Sequence, residues 1–155
     1  MANPSKAKGP AAESAVVKLA EAHGIPARRC ALAGSQDQGD VHLWDGRVVI
    51  EVKAYKTHPS WTQVDQWWHE TEAECGRVPN CRAGVLVIKR PGSGLDMAMD
   101  WFAWILASDL ARWMTHGADI ALASKVAWRV PQQRVMMPLG DLFALLKAGA
   151  TDAGY

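Results

Sequence analysis

The sequence predicts an α/β fold, and three observations carry that expectation. Segments with helical apolar spacing and helix-end signals alternate with β-branched runs, and two such runs flank an Asp45-Gly46 pair. A third run, Ala83-Gly84-Val85-Leu86-Val87-Ile88, is apolar at nearly every position, as suits a strand covered on both faces at the centre of a sheet.

Taken in order, residues 1–10 combine Pro, Gly, Ser and Lys without periodicity. They read as a flexible basic arm, with Lys6 and Lys8 available to phosphates, or equally as an inert tail. From Ala11 to His23 the residues Val16, Val17, Leu19 and Ala20 fall near helical spacing, and Gly24 supplies a left-handed stop. Ala27 to Ala33 reads as a short strand, and the polar, glycine-rich stretch from Gly34 to Gly39 is the loop that delivers Asp40. Behind Pro59, Ser60 and Gln63 form a capping box that opens a helix running to Cys75 and stopping at Gly76. Asp100 to Ala107 is apolar and aromatic, Ser108 suits the cap of a helix through Met114, and Ala127 to Val130 suits a strand. Asp141 is placed as the N-cap of a terminal helix through Lys147, and 151–155 as a loose tail.

A length of 155 residues, with 49% hydrophobic and 21% charged, suits one globular domain over about residues 11–150. Seventeen basic against sixteen acidic residues leave a net charge of +1, so any polyanion must be met by a local patch. Cys30, Cys75 and Cys81 are an odd set with no CxxC pair, which argues against a disulfide scaffold and a zinc cluster. No apolar signal-like or membrane-spanning stretch is present, so a soluble cytoplasmic chain without a membrane partner is expected.

The clearest local signal is Val41 to Trp44, then Asp45-Gly46, then Arg47 to Lys53, which predicts a hairpin with a two-residue type I′ turn. If Trp44 pairs with Arg47, Asp40 lies directly opposite Glu51. Val41, Leu43, Val48, Ile50 and Val52 then share an apolar face, and Asp40, Glu51 and Lys53 share the other. Opposed carboxylates about 5 Å apart repel by roughly 3 kcal/mol at an effective dielectric of 20. A divalent cation between them would relieve that repulsion. The other reading is a solvated hairpin face on which Lys53 neutralises Glu51 as an ordinary surface pair.

Gly39-Asp40, ten intervening residues and Glu51-Val52-Lys53 resemble the core motif of the PD-(D/E)XK nucleases. With Glu13 and Gly34-Ser35, the stretch from Glu13 to Arg90 is similar to archaeal-type Holliday-junction resolvases and their phage-encoded relatives. The resemblance implies a restriction-endonuclease-like core, a mixed sheet flanked by helices. It also implies magnesium-dependent phosphodiester hydrolysis, with manganese as a substitute and no organic cofactor, by a homodimer acting on branched DNA. On the same ground Asp40 and Glu51 would ligate the metal, Lys53 would position water, Glu13 would add a carboxylate and Ser35 a phosphate contact. Gln63, with Trp67 four residues on, resembles a glutamine brought to such sites, though it is equally the capping residue. Asp37 competes as a ligand, because the loop before Asp40 lacks the proline often found there.

DNA contacts are expected from Lys56, Lys89 and Arg90, with Lys6 and Lys8 in the arm. Among eight tryptophans, Trp61 and Trp68 share a helical stripe with Val64, so core or dimer packing is their first reading and base stacking the second. His42, His58 and His69 lack ligand spacing and read as polar surface or core residues. Two rivals stand beside the resolvase: a repair or restriction-like enzyme on linear, flapped or nicked DNA, and a non-catalytic DNA-binding or assembly protein.

Overall fold

The computed structural model describes residues 8–30, 38–115 and 133–152. Helix α1 (Lys8–Ala22) buries Ala12, Ala15, Val16 and Ala20 along one stripe. It ends where Gly24, at φ +70, turns the chain so that the Ile25 N–H donates to Ala20 O. The helix begins before the predicted Ala11, because Pro10 is tolerated in a first turn, where its missing N–H has no partner to lose. The basic arm is shortened accordingly, and Lys6 lies outside the described residues.

Strands β1 (Ala27–Arg29), β2 (Val41–Leu43) and β3 (Val48–Lys53) form an antiparallel meander. Helix α2 (Trp61–Arg77) crosses over to β4 (Ala83–Ile88), which runs parallel to β3. Antiparallel β5 (Phe102–Leu106) and β6 (Arg134–Pro138) complete a mixed six-stranded sheet in the order β1-β2-β3-β4-β5-β6. Helices α3 (Ala107–Thr115) and α4 (Leu139–Asp152) follow β5 and β6.

The sheet carries two layers of helix. Val41, Leu43, Val48, Ile50 and Val52 face the larger core, against α1 and the α4 stripe Leu139, Leu142, Phe143 and Leu146. On the opposite face, Val64, Trp67 and Trp68 of α2 pack on Leu86 and Ile88. Both faces of β4 are therefore covered, as its unbroken apolar run requires. Among the described residues no helix is long and apolar enough to cross a membrane.

Several local expectations need correction. Asp141 stands inside the first turn of α4 rather than at its cap, where its charge still favours the helix N-terminus. Cys75 and Cys81 are disulfide-bonded, against the cysteine reading. The end of α2 doubles back into β4 and brings their Cα atoms to 5.6 Å, a proximity that spacing alone does not reveal. The suggested strand Ala127 to Val130 lies outside the described residues, as do residues 31–33 of the strand suggested from Ala27.

Candidate metal centre

The hairpin register is the one that the apolar alternation dictates: Val41 faces Ile50, His42 faces Val49 and Leu43 faces Val48. Asp45 and Gly46 have φ of 55 and 90, as a type I′ turn needs. Trp44 also departs from the strand, at φ 45, because its indole is drawn into the core against Trp113 at 5.2 Å. The ladder thus stops at Leu43 and Val48, one pair short of the prediction, with no change of register.

Asp40 is fixed from three sides. Its N–H donates to Ile50 O, its carbonyl accepts from Cys30 N, and its Oδ2 accepts from the Val52 N–H at 2.7 Å. The last bond ties the carboxylate to the backbone between Glu51 and Lys53. Gly39, at φ +84, makes this approach possible: a Cβ there would lie 2.6 Å from Val49 Cγ1 and 3.5 Å from Glu74 Oε2.

Glu51 is only 6% exposed, and its Oε2 is buried without a hydrogen-bond partner among the described residues. Burial, then repulsion from Glu74, pushes its pKa up to about 7, although the Lys53 ammonium lies 2.5 Å from its Oε1 and pulls the other way. Asp40 is also pushed up to about 7, by burial first and then by the Glu51 charge; the Val52 N–H opposes this and Glu13 adds to it. Against burial, Glu51 and Glu70 hold the Lys53 ammonium above the ordinary lysine range. Lys53 Nζ donates to Glu70 Oε2 at 3.0 Å and lies 5.9 Å from the Trp67 ring centre. An open cleft of about 660 Å³ between β3 and α2 is lined by Glu51, Lys53, Gln66, His69, Glu70, Ala73, Glu74 and Arg77, with Asp40 outside its lining.

Asp40, Glu51 and Lys53 therefore come together, and Glu13 stands close enough to act on Asp40, with its Oε2 engaged by Arg29 at 2.7 Å. Gln63 does not line the cleft; its backbone N–H donates to Ser60 Oγ at the helix cap, and Gln66 occupies the corresponding place one turn on. Ser35 and Asp37 lie outside the described residues. Lys56 is exposed beyond β3. Lys89 and Arg90 point to opposite faces of the sheet: the Lys89 ammonium donates to Ser93 O and lies over Trp101, while the Arg90 guanidinium lies over Phe102. Of the histidines, His42 is buried, His58 is exposed, and His69 is paired with Glu72 at the cleft rim.

Sequence reasoning missed Glu74, 4% exposed on α2 and pressed against Gly39 and Glu51. The available signal was a carboxylate at a position where the stripe Val64, Trp67, Trp68, Thr71 calls for an apolar residue.

The donor set suits a hard divalent cation. Two electrostatically coupled carboxyls with raised pKa values, one bearing a buried oxygen without a donor, are relieved by a positive ion. Among the described residues no three or more acidic, His or Cys side chains close on one point. Asp40 and Glu51 alone would fit an ion such as magnesium, which commonly keeps several of its waters. No protein-family model matches the chain, and the searches of curated proteins and of solved structures gave no match.

Proposed function

We propose that the chain is a magnesium-dependent, structure-selective DNA endonuclease, a Holliday-junction resolvase of PD-(D/E)XK type with a restriction-endonuclease-like core. The observation that carries this reading is the electrostatic contact of Asp40 with Glu51, where Glu51 lines an open cleft together with the Lys53 ammonium that it holds.

In this reading Asp40 and Glu51 hold the ion, and Glu74 and Glu13 add negative potential around them. Bound magnesium supplies Lewis acidity towards the phosphodiester and lowers the pKa of water. Lys53, kept protonated by Glu51 and Glu70, acts as a donor and not as a base at neutral pH. It orients a water or offsets charge on a phosphate oxygen, and the Trp67 ring beside it limits screening of that charge. The Val52 N–H holds Asp40 in place beforehand, so little reorganisation is needed when charge develops. A two-fold homodimer would set two such clefts at a fixed separation, as paired cuts in opposed strands require.

The test is cleavage of four-way junctions, flaps and linear duplex by the purified protein, with magnesium or with chelator. Symmetric nicks near the branch, absent in chelator and lost in Asp40→Asn and Lys53→Ala with unchanged circular dichroism, are the expected result. Equal cutting of linear duplex would refute junction selectivity, and cleavage persisting in chelator or in both variants would refute the metal site.

A further inference from the structure

Among the described residues, helix α2 covers β3 and β4 but leaves the same sheet face open at β5 and β6. Phe102, Trp104 and Leu106 of β5 are only partly buried there, and Met136, paired with Trp104, is 50% exposed. Trp61, at the start of α2, is 73% exposed and meets Trp104 edge to face at 5.9 Å. Cations border the rings. The Arg90 guanidinium lies 5.7 Å from the Phe102 ring centre, and that of Arg134 lies 5.8 Å from Trp68 and 6.0 Å from Trp104. Arg134 is bonded to Asp65, and its Nη1 and Trp104 Nε1 are buried below the surface without an acceptor among the described residues. The face is thus aromatic and bordered by guanidiniums.

The two flanks of α2 face different surroundings. One carries Glu70 and Glu74 into the cleft, and the other sets Trp61 against Trp104 and Asp65 against Arg134. A polyanion is repelled by the acidic flank until a cation neutralises it, so its holding surface lies elsewhere. Ring faces with guanidiniums at their rim match a strand of unpaired bases, each presenting a π-face and a phosphate. Resting on the nuclease reading, we propose that the open β5–β6 face binds an unpaired DNA strand, stacking bases on Trp61 and Trp104 with Arg90 and Arg134 at the phosphates, beside the cleft across one helix width. A second copy of this chain is the rival occupant, but guanidiniums at the rim match a polyanion better than an identical face bearing the same guanidiniums.

The measurement is fluorescence anisotropy of labelled oligothymidylate, alone and annealed to oligoadenylate, with the full chain in chelator. Chelator silences the proposed cleavage, so a failure here condemns the face, whereas absence of magnesium-dependent cutting condemns the cleft. Trp61→Ala should weaken single-strand binding about tenfold and leave duplex binding unchanged. Arg90→Ala should lower the slope of log affinity against log salt by about 0.7. No binding by the parent chain, equal losses on both probes, or an unchanged affinity in Trp61→Ala would overturn the proposal. Dissociation of a dimer by Trp61→Ala in sedimentation would assign the face to a second copy instead.

Discussion

Magnesium affinity should depend on pH far more steeply than an ordinary pair of carboxylates allows. Asp40 and Glu51 start from 3.8 and 4.5 and are both pushed up to about 7 in the folded chain. At pH 6 a carboxyl of that kind is protonated in about ten of eleven molecules, and a cation that needs its oxygens must first displace the proton. The cost is about tenfold in affinity for one carboxyl and approaches a hundredfold for two. Because the pair is coupled and shares its protons, the ratio between pH 8 and pH 6 should fall between those values. Carboxylates at 3.8 and 4.5 would be ionised at both pH values, and the ratio would stay near one. Isothermal titration calorimetry in buffers of different ionisation enthalpy measures affinity and released protons together. One to two protons should leave on binding at pH 6 and almost none at pH 8. Without metal the sign for stability follows from the same shifts. Between about pH 4 and pH 7 the folded chain holds more protons than the unfolded one, so stability in chelator should fall as pH rises through that window. Affinity independent of pH, with no proton release, would refute the assignment of these carboxyls to the cation.

Two further outcomes follow from the same geometry. Glu51→Gln removes a charge that burial and Glu74 disfavour, so in chelator at pH 8 it should stabilise the chain by about 1–2 kcal/mol, seen as a rise of roughly 3–6 °C in Tm, while abolishing the magnesium-induced shift. A fall in Tm would mean that the Lys53 pair outweighs the repulsion. Gly39→Ala forces a Cβ against Val49 at φ +84, which should cost about 2 kcal/mol in urea denaturation and weaken magnesium binding by about tenfold through displacement of Asp40. Unchanged metal affinity would show that the Gly39 backbone does not set the carboxylate position.

The legible part of the site was the part encoded by period two. Five apolar residues at alternating positions leave one register that buries them all, and that register is the observed one from Val41 and Ile50 to Leu43 and Val48, while Asp40 lies just beyond it and is placed by its bonds to Ile50 O and the Val52 N–H. What remained hidden depends on contacts between elements distant in sequence. Glu74 reaches Glu51 only because α2 crosses over the parallel strands, and Gln66 rather than Gln63 lines the cleft because Gln63 is held at the helix start. Lys89 and Arg90 separate because adjacent strand residues face opposite ways, a consequence of period two that becomes readable once β4 is known to extend its geometry past Ile88. The Cys75–Cys81 bond depended on how sharply the chain turns after α2, which composition does not encode.

The acidic cluster also bears on why this hairpin is built so firmly. Asp40, Glu51 and Glu74 gather charge in a partly dry place, which works against folding, yet Asp40 and Glu51 are anchored by sheet backbone and Glu74 by helix α2. Asp40 is held by the Val52 N–H next to the residue it repels, and Glu51 stands on β3 between β2 and β4, with Leu86 as its neighbour on β4. Strands paired on both sides cannot shift to relieve the repulsion without losing the apolar register beneath. Protonation is then one relief and a cation would be another, since burial and mutual repulsion push both pKa values up. Strain of this kind is what the proposed cation site would use, because local conflicts that the surrounding fold holds in place gather at functional sites.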